Sequence, residues 1–145
     1  MDLPPGLRLS FEDNPSRKDR DFIDDGLGIH NAQFLEDSRY SYFGLFVRDQ
    51  AGGIRAGLVG HCYAGWLFVN LLWVEAALRR GGIGGFLLAE AERHAREFGC
   101  HSAWLDTFSF QGPEYYPRFG YREFARLEVP PDHMRIFFRK SLAEE

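Results

Sequence analysis

The spacing of apolar and polar positions changes period several times along the chain. Residues 7–12 (LRLSFE) alternate and predict a strand. Residues 13–21 (DNPSRKDRD) form the most polar block and read as a loop leading into a helix. From 20 to 35, Phe22, Ile23, Leu27, Ile29, Phe34 and Leu35 recur at helical intervals, with Gly26 and Gly28 weakening the pattern. Three runs then read as an antiparallel meander: 42–48, 54–63 and 66–74, joined by the turns QAGG at 50–53 and Ala64-Gly65. The third run (WLFVNLLWV) is apolar on both faces, so it is expected to lie centrally and be covered on both sides.

The period then lengthens. A helix over 86–98 is predicted: Leu87, Ala91, Ala95 and Phe98, with Ile83 just ahead of them, form one stripe, with Glu90, Glu92, Arg93, Arg96 and Glu97 mostly opposite and Gly99 as the stop. Residues 102–108 predict a strand, 112–119 (GPEYYPRF) a short helix opened by Pro113, and 121–127 and 135–140 two closing strands. The order is β, α, three antiparallel strands, α, β, short α, β, β. It describes a mixed, mostly antiparallel α+β sheet flanked by helices, with one parallel crossover around the long helix. A length of 145 residues predicts a single domain, 1–145.

Composition narrows the partners. Seventeen Lys and Arg against 21 Asp and Glu give a net charge of −4, which disfavours a general nucleic-acid binder and mildly favours small cationic partners. Cys62 and Cys100 each stand alone, with no paired metal or disulfide spacing, and the opening MDLPPG has no leader pattern. Both point to a reducing, cytoplasmic setting. The longest apolar run, 66–78, is broken by Asn70 and Glu75 and is too short to span a bilayer. His30, His61, His94, His101 and His133 show no metal-ligand spacing, so no metal is expected. His94 reads as a surface residue.

The strongest local feature is the strand end Leu72-Trp73-Val74 followed by EAALRRGGIGG (75–85) and a long helix. A helix N-terminus leaves N–H groups unpaired and carries partial positive charge, so it favours anions. Gly81, Gly82, Gly84 and Gly85 remove side chains there, and Arg79 and Arg80 add fixed charge. A pyrophosphate fits such a turn; an ordinary flexible connection is the plainer reading. The Walker pattern fails because Phe86-Leu87 follows the last glycine. The dinucleotide fingerprint fails because three antiparallel strands precede the turn.

Arg79-Arg80-Gly81-Gly82-Ile83-Gly84 reads as Arg-x-x-Gly-x-Gly between a central strand and a long amphipathic helix. Downstream, Tyr116-Pro117-Arg118-Phe119-Gly120-Tyr121 places a Tyr four residues before a Gly-aromatic pair. Both motifs, and the element order along nearly the whole chain, resemble the GCN5-related N-acetyltransferases. The resemblance implies a central strand and the strand after the long helix splayed apart, with acetyl-CoA in the gap. It implies that the backbone of Leu72, Trp73 and Val74 holds the pantetheine and acetyl groups. Arg79, Arg80, Gly81, Gly82, Ile83, Gly84 and Gly85 would wrap the pyrophosphate, and Tyr116 would serve as general acid for the departing thiolate. The plainer reading of Tyr116 is one more core aromatic.

Three positions depart from the family pattern. Ser109 stands where relatives often carry an Asn against the cofactor. Pro117 interrupts the short helix and could tilt Tyr116 away from the sulfur. Phe68 stands where some relatives carry a glutamate base, with Asn70 on the same face, which leaves Asp106, Glu75 or a water relay to take the amine proton. By the same analogy Phe34, Tyr40 and Tyr42 could line an acceptor pocket, and Asp24, Asp25, Glu36 and Asp37 could attract a cationic amine; core packing and a solvated face are the plainer alternatives. The reading is an acetyl-CoA-dependent N-acetyltransferase acting on a primary amine of a small molecule or protein, with a homodimer left open. The alternative is a CoA-binding sensor or docking module without turnover.

Overall fold

The computed structural model describes residues 1–143, which fall into two compact units, 1–38 and 39–143. The first unit holds one helix, α1 (Arg17–Ala32). Ser16 caps it by accepting the Asp19 N–H at 3.1 Å, which starts the helix earlier than its apolar spacing suggests. It buries none of its residues, and Gly26 and Gly28 are carried within it. Residues 7–12 adopt no strand. Alternation records only that a segment is able to be a strand; the ladder bonds that make one must come from a neighbour.

The second unit is a six-stranded sheet in the order β1-β2-β3-β4-β6-β5. Its strands are β1 (Ser41–Arg48), β2 (Ile54–Tyr63), β3 (Trp66–Val74), β4 (Ser102–Phe108), β5 (Arg122–Val129) and β6 (His133–Ser141). All neighbouring pairs are antiparallel except β3 and β4, which run parallel around the crossover helix α2 (Ile83–Phe98). Gly99, left-handed at φ 106°, ends α2, and the Cys100 N–H reaches back to the Ala95 carbonyl at 2.8 Å. The core joins Leu87, Leu88, Ala91 and Ala95 of α2 to inward residues of β2, β3, β4 and β6, among them Leu58, Leu67 and Leu105.

Two local features shape the middle of the sheet. The β2–β3 register skips at Val59/Gly60, leaving Asn70 without a partner as a bulge in β3. The β3–β4 ladder runs from Trp66↔Ser102 to Val69↔Leu105 and ends there. Beyond that point β3 stays with β2 as far as Ala56↔Val74, while β4 stays with β6 as far as Phe108↔Arg135. The two strands part like a V. This corrects the expectation that β3 is covered on both sides: it is central, yet Leu71 is 66% and Trp73 51% exposed. Both are partnered with β2 residues, Val59 and Gly57, on the face of the sheet turned away from α2, whereas the buried core lies on the other face.

Two readings on α2 also change. Glu92, assigned to the solvated face, is only 4% exposed. Its carboxylate accepts the Tyr121 hydroxyl at 2.9 Å and the Lys140 ammonium at 2.7 Å, so both charge and hydrogen-bonding capacity are met inside the fold. His94 is half-buried: its Nε2 lies 3.1 Å from Ser41 Oγ and its ring 4.5 Å from that of Phe43. Leu88 sits fully enclosed at the centre of the core. Leu88→Ala should therefore cost about 2–5 kcal/mol of stability, read as a lower urea midpoint with an unchanged slope.

Candidate functional site

The parted ends of β3 and β4, the start of α2 and a short helix after β4 enclose a cavity of about 960 Å³. The glycine turn forms one wall. After β3 a single 3₁₀ turn (Ala76–Leu78) brings the chain round, Arg80 takes a left-handed φ of 69°, and Gly82 does the same at 87°. A left-handed φ costs a side-chain-bearing residue about 1–2 kcal/mol, so Gly82 suits its position and Arg80 carries local strain. Gly82 has no side chain to cap α2, and the first intrahelical bond runs from Phe86 N–H to its carbonyl at 3.0 Å. The N–H groups of Ile83, Gly84 and Gly85 therefore stand at the positive end of a sixteen-residue helix. Arg79 is tethered, its Nε donating to the Val74 carbonyl at 3.0 Å.

The four glycines do different work. A Cβ at Gly82 would meet nothing within 4 Å, so that position is open. A Cβ at Gly84 would collide with the Tyr115 hydroxyl, and one at Gly85 would lie 2.6 Å from the Phe119 ring. Gly84 and Gly85 thus make room for two aromatic side chains, and the open position of the turn is Gly82.

Those aromatics belong to the opposite wall, a 3₁₀ helix at Pro113–Phe119. The tighter 3₁₀ winding accommodates Pro117, and Gly120, left-handed at φ 90°, closes the helix. Tyr116 still reaches the cavity, with its ring against Tyr115, Tyr121 and Phe138. Burial above all, then the neighbouring Tyr115 and Asp106, push its phenol up to about 12. Burial also raises the Tyr115 phenol, partly offset by the Arg118 guanidinium.

Of the residues expected at the cofactor site, Leu72, Trp73, Val74, Arg79, Arg80, Gly82, Ile83, Gly84 and Tyr116 line this one cavity. Gly81, Gly85 and Ser109 do not. The Ser109 hydroxyl instead accepts the Met134 N–H at 3.0 Å, anchoring the turn after β4 to β6. The residues proposed for an acceptor are distributed differently. Phe34 lies in the first unit, its ring 5.5 Å from His30. Tyr42 lies opposite His61 across β1 and β2, and Asn70 is the bulge residue. Asp106 is ion-paired to Arg135 at 2.9 Å, and Glu75 is paired to Arg55.

Sequence reasoning missed Leu78, Phe110, Gln111, Tyr115, Arg118 and Phe119 on the cavity wall. Gln111 is fixed by its Oε1, which accepts the Phe108 N–H at 2.9 Å and the Thr107 hydroxyl at 3.2 Å. Tyr115 could have been found, since it adjoins Tyr116; nothing in the sequence distinguishes Gln111. Among the described residues no cluster of three or more His, Cys, Asp or Glu is placed to hold a metal, and no helix is long and apolar enough to cross a membrane.

Comparison with known proteins agrees with this geometry. The profile of the acetyltransferase (GNAT) family matches residues 7–121. A blasticidin-S acetyltransferase of Streptomyces morookaense is 43% identical over 105 residues, 71% of this chain and 77% of that protein. The crystal structure of a putative acetyltransferase from Agrobacterium tumefaciens superposes with a TM-score of 0.83 at 29% identity, covering 93% of this chain and 99% of that one. An acetyltransferase structure from Bacillus cereus gives 0.75 at 34% identity, covering 91% and 97%.

The raised Tyr116 phenol has a direct thermodynamic consequence. Its folded pKa lies above the unfolded value near 10, so the stability it contributes is complete below pH 10 and is lost as pH rises toward 12. Stability of the wild type should fall more steeply over that window than stability of Tyr116→Phe. The difference, read by urea unfolding at each pH, should approach about 1.4 kcal/mol per pH unit.

Proposed function

The chain belongs to the acetyltransferase (GNAT) family, and we propose that it carries acetyl from acetyl-CoA directly to the primary amine of a small molecule. The family profile crosses both structural units, which supports reading residues 1–145 as one transferase domain. The observation that carries the proposal is the single cavity shared by the parted end of β3, the open turn before α2 and Tyr116.

Each wall has a chemical task in this reading. Past Val69, β3 no longer bonds to β4, so its backbone on that side can pair with an extended ligand as a further strand would. The pantetheine arm of acetyl-CoA carries the amides such pairing needs. Its pyrophosphate suits the N–H groups at the start of α2, with Arg80 and Gly82 at the opening. Phe110, Gln111, Tyr115 and Phe119 complete the wall of the cavity, with Tyr115 and Phe119 packed beside the start of α2.

Transfer begins when a neutral amine attacks the acetyl carbonyl. A backbone N–H of β3 aimed at the thioester oxygen stabilises the charge that collects there. The carbon–sulfur bond then breaks and a thiolate departs. Tyr116 is neutral at pH 7 and donates a hydrogen bond to that sulfur. A full proton transfer from a phenol at about 12 to a thiolate whose thiol lies near about 8.5 runs uphill, so solvent completes the protonation. Tyr116 in this role lowers the barrier by stabilising the leaving group.

The blasticidin-S acetyltransferase among the relatives makes blasticidin S the first acceptor to test, beside spermidine and a peptide with a free α-amine. Acetyl-CoA and CoA should each raise the melting midpoint by several degrees at 100-fold their Kd, where bound ligand adds about 2.7 kcal/mol, while ATP and NADPH should not. Tyr116→Phe should keep that shift and lose about 10²-fold in kcat, followed by thiol release. A midpoint that responds to NADPH or ATP and not to CoA would remove the basis of the assignment.

A further inference from the structure

A split in a sheet opens to both faces. The cavity uses the face that carries α2; the opposite face holds a group of side chains with no role so far. Phe68 and Trp104 are partners in the ladder one row below the last β3–β4 pair, and their rings stack with centroids 4.0 Å apart. The His61 ring meets Phe68 edge-on at 5.4 Å and stacks on Tyr40 at 5.4 Å. The bulge residue Asn70, first past that last pair and two before cavity-lining Leu72, places its Oδ1 3.2 Å from His61 Nδ1.

That contact fixes a tautomer. Asn70 Oδ1 accepts, so in the neutral ring His61 Nδ1 carries the proton and Nε2 the lone pair. The carboxylates that could compete as a base are occupied by guanidinium groups, Asp106 by Arg135 and Glu75 by Arg55. From the bulge, the tautomer and the aromatic wall we infer that His61 Nε2 accepts the proton of the incoming ammonium group, held in place by Asn70; the inference rests on the transferase reading above.

The amine approaches past the stacked Phe68–Trp104 pair, an apolar wall beside the His61 ring. His61 takes one proton from R–NH₃⁺, forming imidazolium and a neutral amine. The amine nitrogen bonds to the acetyl carbon, the carbon–sulfur bond breaks, and the second nitrogen proton leaves to solvent as the thiolate is protonated. Imidazolium then returns its proton to water, so the net products are the amide, CoA thiol and one proton.

The surroundings favour a neutral ring. Burial lowers the His61 pKa, partly offset by the Asn70 bond. Its titratable neighbours are Tyr40, Tyr42 opposite on β1, and Tyr63 further along its own strand. Charged groups on this face include Arg55, further along the His61 strand and paired to Glu75, and Asp106, Arg135, Arg139 and Arg122 on β4, β6 and β5, beyond Phe68 and Trp104.

The test compares acceptors that do and do not need deprotonation: blasticidin S and spermidine as ammonium acceptors, hydroxylamine as one largely neutral at pH 7. His61→Gln should lower kcat/KM about 10²-fold at pH 7 for the ammonium acceptors and leave hydroxylamine within about 3-fold. The ammonium deficit should shrink toward pH 9 as more free amine is present. Asn70→Ala should show the same selectivity with a smaller loss. The acetyl-CoA thermal shift should be unchanged in both variants, which separates a proton role from damage to the fold. Equal losses for all three acceptors, or none, would overturn the assignment of His61 alone. A wild type that acetylates neither ammonium acceptor would overturn the transferase reading and this inference with it.

Discussion

Everything at the site follows from two strands that stop pairing. Parallel neighbours β3 and β4 share a ladder only to Val69 and Leu105, then each continues with its other partner. The backbone groups exposed at the split are costly to bury without partners and useful to a ligand that supplies them. The bulge at Asn70 is the local device, since one unpaired residue bends β3 where the ladder ends. A β3–β4 ladder continued past Val69 and Leu105 would leave no gap between the strands for the cavity.

The walls around the split are held by interactions away from it. Glu92 draws Tyr121 and Lys140 toward α2, and Tyr121 immediately follows the glycine that ends the Tyr116 helix. A half-satisfied version of that buried network would be worse than an apolar one, so its three members act as a unit. Ser109 and Gln111 brace the other end, tying the turn after β4 to β6 and to β4 itself. The cavity is thus bounded by short segments clamped at both ends rather than by free loops.

Much of this was legible in the sequence. Strands 54–63, 66–74 and 102–108 match β2, β3 and β4 end to end because glycine and polar turn residues mark their limits. The glycine turn and Tyr116 stand out in the sequence because both are motifs of fixed spacing, and the fold brings Gly82, Gly84 and Tyr116 to one cavity. Segment 7–12 failed because alternation does not report whether a partner strand exists. The burial of Glu92 was hidden because its partners lie 29 and 48 residues away. His61 was passed over for a similar reason: a histidine read for metal spacing shows nothing, and its partner Asn70 lies on a neighbouring strand whose register the sequence does not give.

The contact between Gly84 and Tyr115 joins two motifs that look independent on paper. The first atom in the way of a Cβ at 84 is the tyrosine hydroxyl, so a phenylalanine at 115 would remove the main obstacle to an alanine at 84 and leave the ring to shift by a few tenths of an ångström. Lineages descending from such a chain would cross between Gly–Tyr and Ala–Phe more easily by changing 115 first, since the reverse order passes through a clash. The history of this pair should therefore be directional, with the aromatic residue leading and the helix start following.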